Sequence, residues 1–222
     1  MPVASPRSYL LEILKILKTH WPANRAINIA VHGHSVPAGY FATPRVDTFN
    51  AYPHLLHYQL NQRFPFSTVN VIVTAIGGET SIAGAARFQK EVMCHRPDVL
   101  LIDYALNDRR SGLDAARSAW TSMIEQSLQL GARILLLTGT PDNTQHPHVD
   151  PEQQRPLREH AALTRELAEK FDLGLVDSLA AFDRCIAAGG KLEDLLSWSN
   201  HPNRHGHELV AQEIMRYFPA DV

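Results

Sequence analysis

The sequence predicts an α/β fold in which about five parallel strands form one sheet covered by helices on both faces. Three observations predict it. Short, mainly apolar runs without regular polar alternation occur at residues 27–31, 69–75, 99–104, 133–138 and 173–176; stretches with helical spacing of apolar residues separate them; and glycine, asparagine or aspartate follows several of the runs. Such a run means a strand buried on both faces, where a one-sided sheet would give alternation. Strands alternating with helices give parallel neighbours joined by crossovers.

Ser5-Pro6 opens the first helix, because a proline in the first turn gives up an N–H that the helix does not use, and Leu10, Leu11, Ile13, Leu14 and Leu17 follow at helical spacing. The strand at 27–31 ends in the tight turn His32-Gly33-His34-Ser35. Next come a helix over 49–63, a strand over 69–75, the turn Gly77-Gly78 and a helix to about Val92. The strand at 99–104 leads into Ala105-Leu106-Asn107-Asp108, and the helix over 113–130 is stopped by Gly131. After the strand at 133–138, a helix is expected over 157–171, a strand over 173–176, and helices over 179–188 and 205–217. Residues 140–155, rich in Pro, His, Asp and Gln, lack periodicity and read as a surface loop near the rim where the strands end. No repeat or linker divides the chain, so one domain over 1–222 is expected.

With 21 Lys+Arg against 23 Asp+Glu, a net charge of −2 and no basic stripe, the electrostatic footprint of a nucleic-acid binder is missing. Cys94 and Cys185 are too few for a disulfide framework and read as small buried hydrophobes in a reducing compartment. Glu12, Lys15 and Lys18 interrupt the apolar residues of the first 21 positions, which excludes a signal-peptide reading, and no run of about 18 apolar residues occurs to span a membrane. A cytoplasmic location follows by default. Nothing in the sequence fixes the oligomeric state.

Chemistry gathers at four places: residues 33–39, the stretch Gly77-Gly78-Glu79-Thr80-Ser81, Asn107-Asp108, and residues 199–207 ahead of the last helix. In order they offer a hydroxyl, exposed amides, a carboxamide and an imidazole. A serine hydroxyl needs a neighbouring base to take its proton, and a tetrahedral intermediate needs donors aimed at its oxyanion. Ser35 is the candidate nucleophile and His201 its general base. The backbone amides of Ser35 and Gly78 and the side chain of Asn107 are the candidate oxyanion hole, glycine at 78 leaving the approach to its amide open. Taken singly, Ser35 reads more readily as a helix N-cap, and the glycine pair and Asn107-Asp108 more readily as turn residues. Their order and their place at strand ends favour the chemical reading.

The order and spacing of these patches resemble the SGNH hydrolase (GDSL-like esterase/lipase) family, over residues 27–210. Gly33-x-Ser35-x-x-x-Gly39 is similar to its GDSxxxG block, Gly78-Glu79-Thr80 to its GDT block, Asn107-Asp108 to GxND, and His201-Pro202-Asn203 with Gly206-His207 to the closing DxxHPNxxGH. The resemblance implies a three-layer α/β/α sandwich of the SGNH hydrolase/flavodoxin-like kind. It also implies metal-free and cofactor-free hydrolysis of an ester or thioester through an acyl-enzyme, on a small-molecule substrate.

Three positions depart from the pattern: His34 stands in place of Asp, Ala105 in place of Gly, and Trp198 where the family's catalytic Asp belongs, three residues before His201. The last matters most, since removing that charge in a serine protease lowers kcat by about 10⁴. A backbone carbonyl, that of Trp198 or a neighbour, is expected to orient His201 in its place, with Asp194 the other candidate. Two other readings stand beside the esterase. One is a weak or inactive ligand-binding module of the same fold, and the other is a metal-dependent hydrolase built on His201, His205 and His207. His34, Tyr40, Tyr104, Arg109 and Trp198, close to the blocks in sequence, suggest a polar, aromatic-lined pocket for a short acyl or acetyl ester of a carbohydrate.

Overall fold

A computed structural model describes residues 3–221. Along the chain run α1 (Leu11–Leu17), β1 (Ile27–Gly33), α2 (Ser35–Ala38), α3 (Tyr52–Arg63), β2 (Val69–Val73), α4 (Ser81–Glu91), β3 (Val99–Asp103) and α5 (Ala105–Asp108). They are followed by α6 (Leu113–Gln129), β4 (Arg133–Leu137), α7 (Pro151–Lys170), β5 (Gly174–Val176), α8 (Ser178–Ala187) and α9 (Arg204–Met215). The five strands are all parallel and lie in the order β2-β1-β3-β4-β5.

Strand alternation divides the core between the two faces of the sheet. Ile27, Ile29, Val31, Val99, Leu101, Leu135, Leu137 and Val176 pack on one side against apolar residues of α1, α3, α8 and α9. Ala30, Leu100, Ile102, Ile134 and Leu136 pack on the other against Phe88 of α4, Trp120, Met123 and Ile124 of α6, and Leu163 and Leu167 of α7. Both faces are apolar on β1, β3 and β4 because helices cover both, which is why those runs are mainly apolar in sequence. β2, at the sheet's edge, departs from the expectation of full burial, with Asn70 and Val73 exposed.

The chain passes from β1 out to β2 and then back across to β3. The sequence order therefore reverses between β1 and β3, and the region beyond their carboxyl ends is where open sheets of this kind take their ligands. Gly33 lets the two ends close up: a Cβ there would stand 2.5 Å from the Asp103 carbonyl oxygen and 2.8 Å from the Pro37 ring.

Three local expectations are corrected. α7 begins at Pro151, six residues before position 157, with Asp150 accepting a hydrogen bond from the Glu152 N–H at 2.9 Å, so the rim loop is shorter than the composition suggested. The proline is the first-turn residue of the helix rather than a loop marker. The first helix proper starts at Leu11, after turns that include the Ser8 and Tyr9 N–H groups on the Ser5 carbonyl. Cys94 is exposed, in the 3-10 turn Met93–His95 that carries the chain over the surface from α4, and Cys185 is only half-buried.

Candidate functional site

The turn after β1 throws Ser35 into the first position of α2, and His34, not Ser35, is the cap: its Nδ1 accepts the Val36 N–H at 3.3 Å. Freed from capping, the Ser35 hydroxyl points at His201, with Oγ 2.9 Å from Nε2. His201 arrives on a small hairpin in which Leu196 bridges Pro202 and the Ser197 N–H bonds the His201 carbonyl at 2.9 Å. Asn203 then caps α9 through the Gly206 N–H at 3.2 Å, fixing where the hairpin leaves the helix.

The other ring nitrogen of His201 donates to the Phe41 carbonyl at 3.1 Å, with the Thr43 hydroxyl 3.4 Å away. A carbonyl can only accept, so Nδ1 carries the proton and Nε2 turns a lone pair to the Ser35 hydroxyl. The acceptor is a backbone carbonyl, as expected in kind, but it comes from the loop after α2, not from Trp198 or Asp194. Trp198 is 60% exposed at the tip of the hairpin, and Asp194 lies exposed in a 3-10 turn, its carbonyl accepting the Asn203 amide at 2.9 Å. Burial pushes the His201 pKa below its ordinary value; the Phe41 carbonyl opposes that shift and neighbouring His34 adds to it.

Gly78 sits on the exposed turn after β2 with φ +79°, and a Cβ there would meet nothing within 4 Å. The sign of φ is what selects glycine here, and the space above the amide is open. This turn is laced to the neighbouring strand ends. The Ile76 N–H bonds the Gly33 carbonyl at 3.0 Å, and Asn107 Nδ2 donates to the Glu79 carbonyl at 3.0 Å. Asp108, the other half of the Asn-Asp pair, accepts the Ser81 N–H at 2.8 Å and the Trp120 indole N–H at 2.7 Å. The Glu79 carboxylate accepts from Arg87 at 2.8 and 2.5 Å and from the Tyr104 hydroxyl at 2.7 Å. Burial alone would push Glu79 up, but its hydrogen bonds to Arg87 and Tyr104 hold it below the usual carboxylate range.

Of the side chains expected around a pocket, Tyr40 stands beside the histidine, its ring 6.0 Å from that of His201, and packs where a Cβ on Gly77 would be. Tyr104 and His34 are fully buried and serve as wall. Arg109 is occupied by Asp142 and the Leu106 carbonyl, each at 2.7 Å. The histidine cluster is not assembled. His201 faces Ser35, His205 is exposed, and His207 is buried with its Nδ1 accepting the Tyr52 N–H at 3.1 Å. Among the described residues no group of three or more His, Cys, Asp or Glu is placed to hold a metal ion, so the metal-hydrolase alternative loses its ligand set. No helix among the described residues is long and apolar enough to cross a membrane.

The comparison with protein families decides the affiliation: the model of the GDSL-like Lipase/Acylhydrolase family matches residues 31–209. The chain belongs to that family. This GDSL-like protein is a carboxylic-ester hydrolase of the SGNH type. It is similar to an acetylxylan esterase of Geobacillus stearothermophilus, 24% identical over 166 residues that make up 69% of this chain and 74% of the relative. Among solved structures, a mutant of Axe2, an acetyl-xylooligosaccharide esterase of the same organism, superposes with a TM-score of 0.73 at 22% identity, covering 90% of this chain and 96% of that one. A two-domain esterase active on acetylated mannans gives 0.77 at 18% identity, covering 99% of this chain and 57% of the other. The five-stranded parallel sheet flanked by helices is the SGNH fold of these neighbours.

Phe41 and Tyr52 were invisible to sequence reasoning. The first acts through its main chain, which any residue supplies, and the second bonds His207 through its N–H.

Proposed function

We propose that this chain hydrolyses short acyl esters, chiefly acetyl esters of a carbohydrate, with Ser35 as nucleophile and His201 as base. The observation that carries the mechanism is the 2.9 Å approach of Ser35 Oγ to a His201 Nε2 whose opposite nitrogen is held by the Phe41 carbonyl. His201 takes the hydroxyl proton as Oγ bonds to the acyl carbon, then returns it to the departing alcohol; a water repeats the cycle on the acyl-enzyme and releases the acid. The oxyanion is received by the backbone N–H groups of Ser35 and Gly78 and by Asn107. That carboxamide has two N–H donors and gives only one of them to the Glu79 carbonyl. The Phe41 carbonyl fixes the tautomer of His201 as a carboxylate would, while lending no full charge to the imidazolium.

The substrate class is supported by the relatives, which act on acetylated xylan, xylo-oligosaccharides and mannans, and by the exposed indole of Trp198 at the tip of the His201 hairpin, a face on which a sugar ring can stack. The test is hydrolysis of p-nitrophenyl acetate, butyrate and octanoate, and acetate release from acetylated xylo-oligosaccharides. The expected order is acetate, then butyrate, then octanoate, with turnover lost in Ser35→Ala. Preference for octanoate contradicts the substrate class, and full turnover by Ser35→Ala contradicts the nucleophile. A protein that folds and turns over none of these esters favours the ligand-binding reading.

A further inference from the structure

Behind Ser35 lies a second imidazole. His34 is fully buried, its Nδ1 stands 3.4 Å from Ser35 Oγ, and its Nε2 stands 3.5 Å from Oδ1 of Asp103, which is 2% exposed. Neither Nε2 nor that Oδ1 has another hydrogen-bond partner among the described residues. The second oxygen of Asp103 accepts a hydrogen bond from the Tyr52 hydroxyl at 3.2 Å. A carboxylate this deeply buried needs more than one neutral donor. Among the described residues, the group that faces its open oxygen is the His34 ring.

The backbone settles which way that ring is protonated. The Val36 N–H points at Nδ1, so Nδ1 is an acceptor and the ring proton sits on Nε2, aimed at Asp103. Ser35 Oγ therefore has two imidazoles near it: His201, the nearer, which takes its hydrogen bond and is backed by a neutral carbonyl, and His34, the farther, which caps the turn and is backed by a buried carboxylate. We infer that Asp103, acting through His34, is the carboxylate of this active site: a positioning pair that braces the nucleophile turn in a chain with Trp198 three residues before His201. Through the Val36 N–H, His34 holds the turn that presents the Ser35 hydroxyl to His201. Asp103 fixes the His34 tautomer that allows this, its open oxygen facing the ring's Nε2. No proton leaves the pair.

The inference rests on Ser35 being the nucleophile, and its test is separable from that assignment. In protein labelled with ¹⁵N-histidine, two-bond proton–nitrogen correlations read the His34 tautomer without any substrate. The expected form carries the proton on Nε2, and an Nδ1-protonated ring overturns the inference. For kinetics, His34→Asn keeps a side-chain oxygen that can still cap the Val36 N–H but cuts the link to Asp103. We expect His34→Asn and Asp103→Asn each to lower kcat on p-nitrophenyl acetate about ten-fold with KM within two-fold, and the double variant to be no worse than either. Native kcat in His34→Asn would reduce the residue to a helix cap, and additive losses in the double variant would separate the two groups; either result overturns the inference. Should Asp103→Asn fail to fold, the tautomer and His34→Asn still decide it. A Ser35→Ala variant with full turnover would instead strike the nucleophile assignment and leave the tautomer result unaffected.

Discussion

The two sides of the candidate site are built by different means. On the side proposed to move the proton, His201 rides on a hairpin, is held by one backbone carbonyl, and has an exposed tryptophan, Trp198, three residues before it. On the side proposed to receive negative charge, Gly78 and Asn107 are tied into a lattice of fixed bonds: Glu79 to Arg87 and Tyr104, Asn107 to the Glu79 carbonyl, Asp108 to Ser81 and Trp120. Donors that are already in place when charge develops need no reorganisation, and such preorganisation is commonly the largest single contribution to acyl-transfer catalysis. The contrast teaches where to look for the catalytic weight: on the proposed reading, a reduced base arrangement is offset by a rigid oxyanion side.

Four expectations break or sharpen that contrast. The largest effect belongs to Ser35→Ala, which should lower kcat on p-nitrophenyl acetate by about 10⁴ or more while leaving the fold intact, as circular dichroism checks. Next is Asn107→Ala. If the charge-receiving side carries most of the catalysis, kcat falls about 10²- to 10³-fold with little change in KM, and a loss under ten-fold would shift the weight back to the base.

Acid stability probes the buried imidazoles that brace the site. Burial holds His32 neutral down to about 4 and His207 to about 3, the fields of Arg87 and His201 respectively adding to it. Both values lie below the unfolded value of about 6.5, so between these limits the unfolded chain binds more protons, and stability rises with pH. Lowering the pH from 7.5 to 5 should therefore cost about 2 kcal/mol per ring, read as a lower urea midpoint at unchanged slope. An unchanged midpoint would mean that these rings are not held neutral.

The smallest effect is expected from Glu79→Gln. The carboxamide keeps the volume but weakens the grip of Arg87 and Tyr104 on the turn that carries Gly78. A loss of about ten-fold in kcat should result, comparable to removing an outer-shell support elsewhere.

Most of the frame was legible because it rests on side-chain chemistry that leaves a pattern. The mainly apolar runs of β1, β3 and β4 signalled burial on two faces, and the glycines and asparagine at strand ends marked the candidate site. Where main chain does the work, sequence is silent: the Phe41 carbonyl on His201 Nδ1 carries no side-chain signature, and expectation turned instead to the nearby Trp198 and Asp194. Proline misled differently. Pro151 reads as a loop residue by composition, yet with Asp150 ahead of it as cap it is a helix start, and that pair was the available signal. His34 looked like a simple replacement in the first block, because its partner Asp103 lies 69 positions away and meets it only through the pairing of β1 with β3.

The most direct test of the dyad is the pH dependence of Ser35 labelling by a fluorophosphonate. A neutral His201 is required to take the hydroxyl proton, and burial lowers its pKa, so labelling should rise with pH through a midpoint below a histidine's ordinary value of about 6.5 and be flat above it. A midpoint at or above about 7, or a folded protein in which Ser35 stays unlabelled, would contradict the account.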